Sequence, residues 1–199
     1  LCLEDSNTAS SFQWAWLNNS TKSTNYVNAY HTIFLRYTNN SNIWAWDFCN
    51  EPMGKYVENS VSRATLLSFF TSVYNDGKAT TPNHYFSVGA RSPSDSDFDV
   101  CSDFYDHHPY NANGAPTYHA SQYSQPVIIS ECGHPTNYAE NTGIVRQYFI
   151  NGLLRGFNII MPWDLRYITS LDAAGGTTYH KKSQTLDIIQ GLIEPSSGV

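Results

Sequence analysis

Short apolar runs alternate with stretches of helical periodicity along most of the chain. Runs suited to buried strands fall at Leu1–Glu4, Ile43–Asn50, His84–Ala90, Cys101–His107, Pro126–Glu131 and Phe157–Trp163. Between them the pattern predicts helices over Thr24–Tyr37, Val61–Tyr74, Tyr138–Arg155 and Ser183–Ile193. In the first of these, Tyr26, Tyr30, Ile33, Phe34 and Tyr37 recur at helical spacing and make one apolar stripe. Ser92–Asp99 and Thr117–Ser124 are short and Ser-rich, so vestigial helices or loops are expected there. The Asn/Ser-rich stretch Asn18–Asn28 predicts a long loop.

Strands alternating with helices are the signature of βα units around a parallel sheet. The pattern yields six such units in 199 residues, whereas a closed (β/α)8 TIM barrel usually takes about 250 residues. The expected fold is therefore an α/β barrel of TIM type lacking its first two βα units. Residues 1–199 are read as a single catalytic domain, incomplete at the N-terminus. Open sheet edges in such a barrel would favour self-association.

Composition narrows the partners. Lys+Arg number 11 against Asp+Glu 17, a formal charge of −6 without a basic stripe, which speaks against nucleic acid. No apolar run approaches the roughly 20 residues of a membrane span, so no membrane partner is expected. Five Trp and fourteen Tyr stand beside only 14% charged residues. Flat rings with polar edges suit sugars, whose C–H faces stack while the hydroxyls seek hydrogen bonds, although the same residues also fill cores. Cys2, Cys49, Cys101 and Cys132 lack zinc spacing and are read as buried thiols rather than disulfides. The sequons at Asn18, Asn19 and Asn39 are compatible with secretion. An extracellular protein is expected, its signal peptide not present in this stretch.

Two acidic residues each close an apolar strand. Glu51 ends Ile-Trp-Ala-Trp-Asp-Phe-Cys-Asn-Glu-Pro, and Glu131 ends Pro-Val-Ile-Ile-Ser-Glu. A carboxylate at the end of a buried strand is costly unless paired or used. In parallel barrels that end is where active sites are assembled. By alternation Val127, Ile129 and Glu131 share one face, as do Ile43, Ala45, Asp47, Cys49 and Glu51. Paired carboxylates of this kind are the equipment of glycoside hydrolysis: one protonates the leaving oxygen, the other attacks the anomeric carbon or activates water.

With its Asn50-Glu51-Pro52, its Glu131 strand and Met161-Pro162-Trp163, the chain resembles strands four, seven and eight of the clan A glycoside hydrolases. Within the clan it is most similar to family 5, the cellulase and β-mannanase family. Asp103 to Tyr110 resembles that family's sixth strand. The resemblance implies a retaining endo-β-1,4-glycanase acting on a β-linked polysaccharide, glucan first and mannan second, with no cofactor. It implies Glu51 as acid/base, Glu131 as nucleophile and Asn50 as donor to the sugar 2-hydroxyl. His108 and Tyr110 would bind substrate and orient Glu131, Trp163 would be the aromatic platform, and Trp14 and Trp16 would serve either subsites or rim packing. Strict alternation puts Asn50 and Glu51 on opposite faces, so the strand must bend before Pro52. The family's strand-two arginine has no counterpart here; Arg91 and Arg166 are the candidates to replace it. Metal catalysis is disfavoured, because adjacent His107 and His108 point to opposite faces of a strand. A non-catalytic carbohydrate-binding barrel is the other reading, and it has no need of both glutamates.

Overall fold

The computed structural model describes residues 14–52, 61–133, 141–162, 166–171 and 177–181. The Leu1–Glu4 strand, the Ser183–Ile193 helix, Cys2 and Trp163 lie outside them. Two compact units are present, Leu1–His107 with Tyr123–Val127, and His108–Gln122 with Ile128–Val199.

The first unit is organised by the strands β1 (Ala45–Asp47) and β2 (Tyr85–Ser87), which pair in parallel with Trp46 opposite Phe86. Backbone bonds carry this ladder beyond the formal strands, from Tyr85 N–H to Trp44 O (3.1 Å) through Gly89 N–H to Cys49 O (3.1 Å). Helix α1 (Ser20–Tyr37) precedes β1, and helix α2 (Arg63–Thr80) lies between β1 and β2. The α2 crossover between parallel strands makes β1–α2–β2 a βαβ unit, as the alternation predicted. Trp46, Phe48 and Phe86 are fully buried with Phe34 of α1 and Leu66, Phe70 and Val73 of α2. Each such side chain contributes roughly 1.5–3 kcal/mol by leaving water. The indole N–H of Trp46 is satisfied inside this core by His84 Nδ1 at 2.9 Å. A third strand, β3 (Tyr105–His107), continues the unit: Asp103 N–H donates to Phe86 O at 2.8 Å and Tyr105 N–H to Pro126 O at 2.7 Å.

Several boundaries in the first unit differ from the sequence reading. The expected Asn18–Asn28 loop is mostly helix, because Asn19 caps α1 by accepting the Lys22 N–H at 3.0 Å. Polar residues there form the exposed start of a helix. Helix α2 runs past Tyr74 to Thr80, through Gly77. A Cβ on Gly77 would lie 2.6 Å from the Phe86 ring and 3.2 Å from Phe34. Glycine there admits a close ring contact instead of ending the helix. Finally, Cys101 closes a 3-10 segment (Pro93–Cys101), so β3 is shorter than expected.

In the second unit, β4 (Val127–Ile129, of which Ile128 onward belongs here) leads to α3 (Asn141–Leu154). The chain then returns to a parallel bridge between Ile129 and Ile160, flanked by Ile129 N–H to Ile159 O (2.9 Å) and Met161 N–H to Ile129 O (2.7 Å). The predicted Phe157–Trp163 strand is thus reduced, among described residues, to this bridge. Helix α3 stops at Gly156, whose φ of 85° is the left-handed value that favours glycine after a helix. Beyond it, β5 (Arg166–Leu171) and β6 (Thr177–Lys181) form an antiparallel hairpin that the βα reading did not anticipate. No helix among the described residues is long and apolar enough to cross a membrane.

Candidate active site

In the first unit Glu51 lies four residues beyond the end of β1, where the chain turns sharply. Its φ is 51°, the left-handed region that costs a non-glycine residue roughly 1–3 kcal/mol. This is the bend that alternation demanded, located at Glu51 itself. The approach to it is tied down. Tyr30 of α1 donates its hydroxyl to Phe48 O at 2.8 Å, and Asp47 Oδ1 accepts the Cys49 N–H at 3.3 Å. Gly89 follows β2 so closely that a Cβ there would sit 2.5 Å from Cys49 O and 2.7 Å from Asp47 Oδ2. Only glycine fits that position. Asn50 is half-buried immediately before Glu51, and its carbonyl faces the Cys49 thiol at 3.7 Å.

In the second unit Glu131 follows β4 by two residues and is gripped at both oxygens. Tyr110 donates its hydroxyl to Oε1 at 2.5 Å, and His108 Nδ1 lies 3.1 Å from Oε2. The opposite ring nitrogen of His108, Nε2, lies 2.9 Å from Ser130 Oγ. The His108 side chain is 4% exposed and that of Glu131 is 15% exposed, so water competes little for these bonds. Behind Glu131, the buried Cys132 thiol is pushed up to about 12 by burial and by the Glu131 charge, and it stays protonated. It donates to Met161 O at 3.5 Å.

The segment carrying His108 and Tyr110 is anchored by α3. The buried Tyr148 hydroxyl accepts the Asn111 N–H and donates to Asn111 O at 3.2 Å. Burial pushes this phenol up to about 12. Asn111 in turn donates to Ala115 O (2.7 Å), and Asn151 of α3 to Gly114 O (2.9 Å). A helix thereby fixes a loop that would otherwise leave the His108 and Tyr110 side chains loosely held.

The structure joins Glu131, His108 and Tyr110 by direct contacts. Trp16 is stacked on Tyr26, with centroids 3.9 Å apart at 13°, and meets Phe69 edge-on at 5.5 Å. Its ring therefore packs against α1 and α2. Trp14 begins a short 3-10 turn (Trp14–Asn18); the placement of its side chain and of Trp163 lies outside the description. Arg91 does not stand free for a carboxylate partner. Its buried guanidinium binds Ser102 Oγ (2.6 Å), Phe104 O (3.1 Å) and Asp99 (3.2 Å), and lies 4.0 Å over Tyr105. It is a strut of the first unit. Arg166 opens β5, with only its backbone described. Asp103 is likewise structural, accepting from Phe86 N–H at 2.9 Å and from the Tyr74 hydroxyl at 3.0 Å. Cys49, Cys101 and Cys132 are all buried, and Cys101 and Cys132 are free thiols.

Sequence reasoning missed Ser130, Asn111 and Tyr148. Strict alternation sends Ser130 away from Glu131, which hid its link to His108. Tyr148 is one apolar-stripe residue among many, and nothing local marks its hydroxyl as a loop anchor.

No family model matches the chain and no curated protein sequence does. Solved structures do. A β-1,4-mannanase from the sea hare Aplysia kurodai superposes with a TM-score of 0.63 at 17% identity, covering 98% of this chain and 65% of its own. A β-mannanase from the blue mussel Mytilus edulis gives 0.62 at 14%, covering 96% of this chain and 63% of its own. The catalytic domain of a Thermobifida fusca endoglucanase gives 0.54 at 17%, covering 87% and 65%. The chain thus spans less than two thirds of the length of each. At such identities the likeness is one of fold alone: the chain's fold resembles that of these mannanases and this endoglucanase, which are family 5 glycoside hydrolases of clan A.

Proposed function

We propose that the chain is a retaining endo-β-1,4-glycanase and that residues 1–199 act as one catalytic domain. The observation that carries this reading is the grip on Glu131: a carboxylate at a strand end, with Tyr110 and His108 bonded to separate oxygens. Two positioned donors complement an ionised carboxylate and hold it in one orientation, which is what a nucleophile needs. Glu51, at the strained turn after β1, supplies the second carboxyl. Backbone strain of this kind concentrates where a side chain must be aimed.

In this mechanism the Glu131 carboxylate attacks the anomeric carbon as Glu51 protonates the departing glycosidic oxygen. A covalent glycosyl-enzyme forms. Glu51, now a carboxylate, takes a proton from water, which attacks the same carbon and releases Glu131. Asn50 donates to the sugar 2-hydroxyl, and Trp163 forms the platform under the cleaved sugar, with Trp14 toward the outer subsites. Neither metal nor organic cofactor enters these steps. The substrate is a β-1,4-linked polysaccharide, glucan or mannan. Mannanases and an endoglucanase among the structural neighbours support both. An extracellular site of action fits a polymer too large to enter a cell.

Reducing-sugar release on carboxymethyl-cellulose, mixed-linkage glucan, mannan and xylan tests the proposal. Activity on one polymer, lost by several orders of magnitude in Glu131→Gln, is the expected result. Equal traces in both proteins would exclude Glu131 as nucleophile. Tight polymer binding without turnover in either would favour the carbohydrate-binding reading.

A further inference from the structure

His108 is bonded on both sides, and the chemistry of its neighbours dictates where its proton sits. Glu131 Oε2, 3.1 Å from Nδ1, belongs to a carboxylate that, when ionised, only accepts. Nδ1 must therefore carry the hydrogen. In a neutral imidazole the other nitrogen is then bare, so Nε2 must accept from its own neighbour, Ser130 Oγ, at 2.9 Å. A serine hydroxyl can donate or accept according to its rotor, and here only donation completes the chain. The order is Ser130 O–H to Nε2, then Nδ1–H to Glu131. Because His108 is 4% exposed, little water is at hand to substitute for either partner.

We propose that Ser130 is a positioning residue: it locks His108 in the Nδ1–H form and thereby keeps a donor on the nucleophile. This deepens the glycanase reading and rests on Glu131 being the reacting carboxylate. Free imidazole in histidine prefers the opposite, Nε2–H tautomer. Without the Ser130 proton, Nε2 loses its donor, the Glu131 carboxylate alone opposes that preference, and the Nε2–H form gains population. A bare Nδ1 lone pair would then face the Glu131 oxygens, and the ring would turn away. The Tyr110 bond to Oε1 would remain while the His108 bond to Oε2 is lost. The serine thus acts on the reaction through the histidine, without touching sugar.

The test is the imidazole nitrogen spectrum of the full chain labelled with 15N-histidine at pH 7.5, with His108 assigned by comparison with His108→Gln. The expected result is a neutral Nδ1–H ring in the native protein, conversion toward Nε2–H in Ser130→Ala, and restoration in Ser130→Thr. Alongside it, kcat should fall about 10-fold in Ser130→Ala, the loss of roughly one hydrogen bond, with KM little changed, and recover in Ser130→Thr. A native His108 that is Nε2–H or doubly protonated would overturn the proposal, and that arm needs no variant to fold. So would an unchanged tautomer in Ser130→Ala, or a changed tautomer with unaltered kcat. The spectrum is read without substrate. A chain with the expected tautomers that releases no sugar therefore counts against the glycanase reading, leaving the assignment of Ser130 to His108 standing.

Discussion

Each oxygen of the Glu131 carboxylate has its own donor, and the two are not equivalent. The Tyr110 bond is the shorter, at 2.5 Å against 3.1 Å for His108. Hydrogen bonds to a charged group are worth about 1.5–3 kcal/mol. Tyr110→Phe should therefore lower kcat by roughly 10–100-fold while leaving the circular dichroism spectrum intact. Steady-state kinetics on the preferred polymer check this, and a variant with unchanged kcat would remove Tyr110 from the site. The thiols give a second residue-scale expectation. Cys101 and Cys132 are buried, and burial pushes both up to about 12. Since the thiolate is the reactive form, a disulfide reagent at pH 8 should leave both unmodified for hours and react only after denaturant is added. Rapid labelling of Cys132 in the folded chain, read by peptide mass, would contradict the buried setting given to Glu131.

Among the elements, helix α1 shows how far the pattern of apolar positions reaches. The stripe from Tyr26 to Tyr37 located the helix, because Phe34 must enter the core and Tyr30 must reach Phe48. Its first turn was read as loop, because Ser20, Thr21 and Lys22 bury nothing and leave no periodic signal. The signal that was there is Asn19, a capping residue. Asn19→Ala should lower stability by about 1 kcal/mol, measured as a shift in the urea midpoint at constant slope. Gly77→Ala tests the opposite end of α2. Alanine favours helix, but its methyl would meet the Phe86 ring at 2.6 Å. Overpacking of this kind costs about 1–3 kcal/mol, so the variant should be the less stable protein. A stabilised Gly77→Ala would show that the ring yields freely.

For the whole molecule, burial makes a statement about alkali. Cys101 and Cys132 move from 9.0 to about 12, and Tyr74 and Tyr148 from 10.0 to about 12. A folded-state value above the unfolded one means that the unfolded chain releases its proton first as pH rises. The stability held by these groups is thus complete below pH 9 and is lost progressively toward pH 12. Thermal melts should be level from pH 7 to 8.5 and should fall by several degrees by pH 11. A flat profile to pH 11 would mean that these groups are not buried as described. At this scale the sequence revealed the βα order and both strand-end glutamates, since burial and strand position leave marks in local patterning. It did not reveal the β5–β6 hairpin, whose alternation over Arg166–Lys181 is weak. Nor did it reveal the ties of Tyr148 and Ser130, which depend on where distant segments return.

The central claim is that Glu131 forms a bond to sugar. The most direct measurement is to treat the chain with 2-deoxy-2-fluoro-β-cellobiosyl fluoride, and with its mannobiosyl counterpart, and weigh the protein. Fluorine at C2 disfavours the oxocarbenium-like transition states, while the fluoride leaving group still lets the first step proceed, so a covalent intermediate accumulates. The account predicts a mass gain of one fluoroglycosyl group, mapped by peptide sequencing to Glu131 and absent from Glu131→Gln. A label on any other carboxylate, or sugar release from a chain that never gains mass, would contradict it.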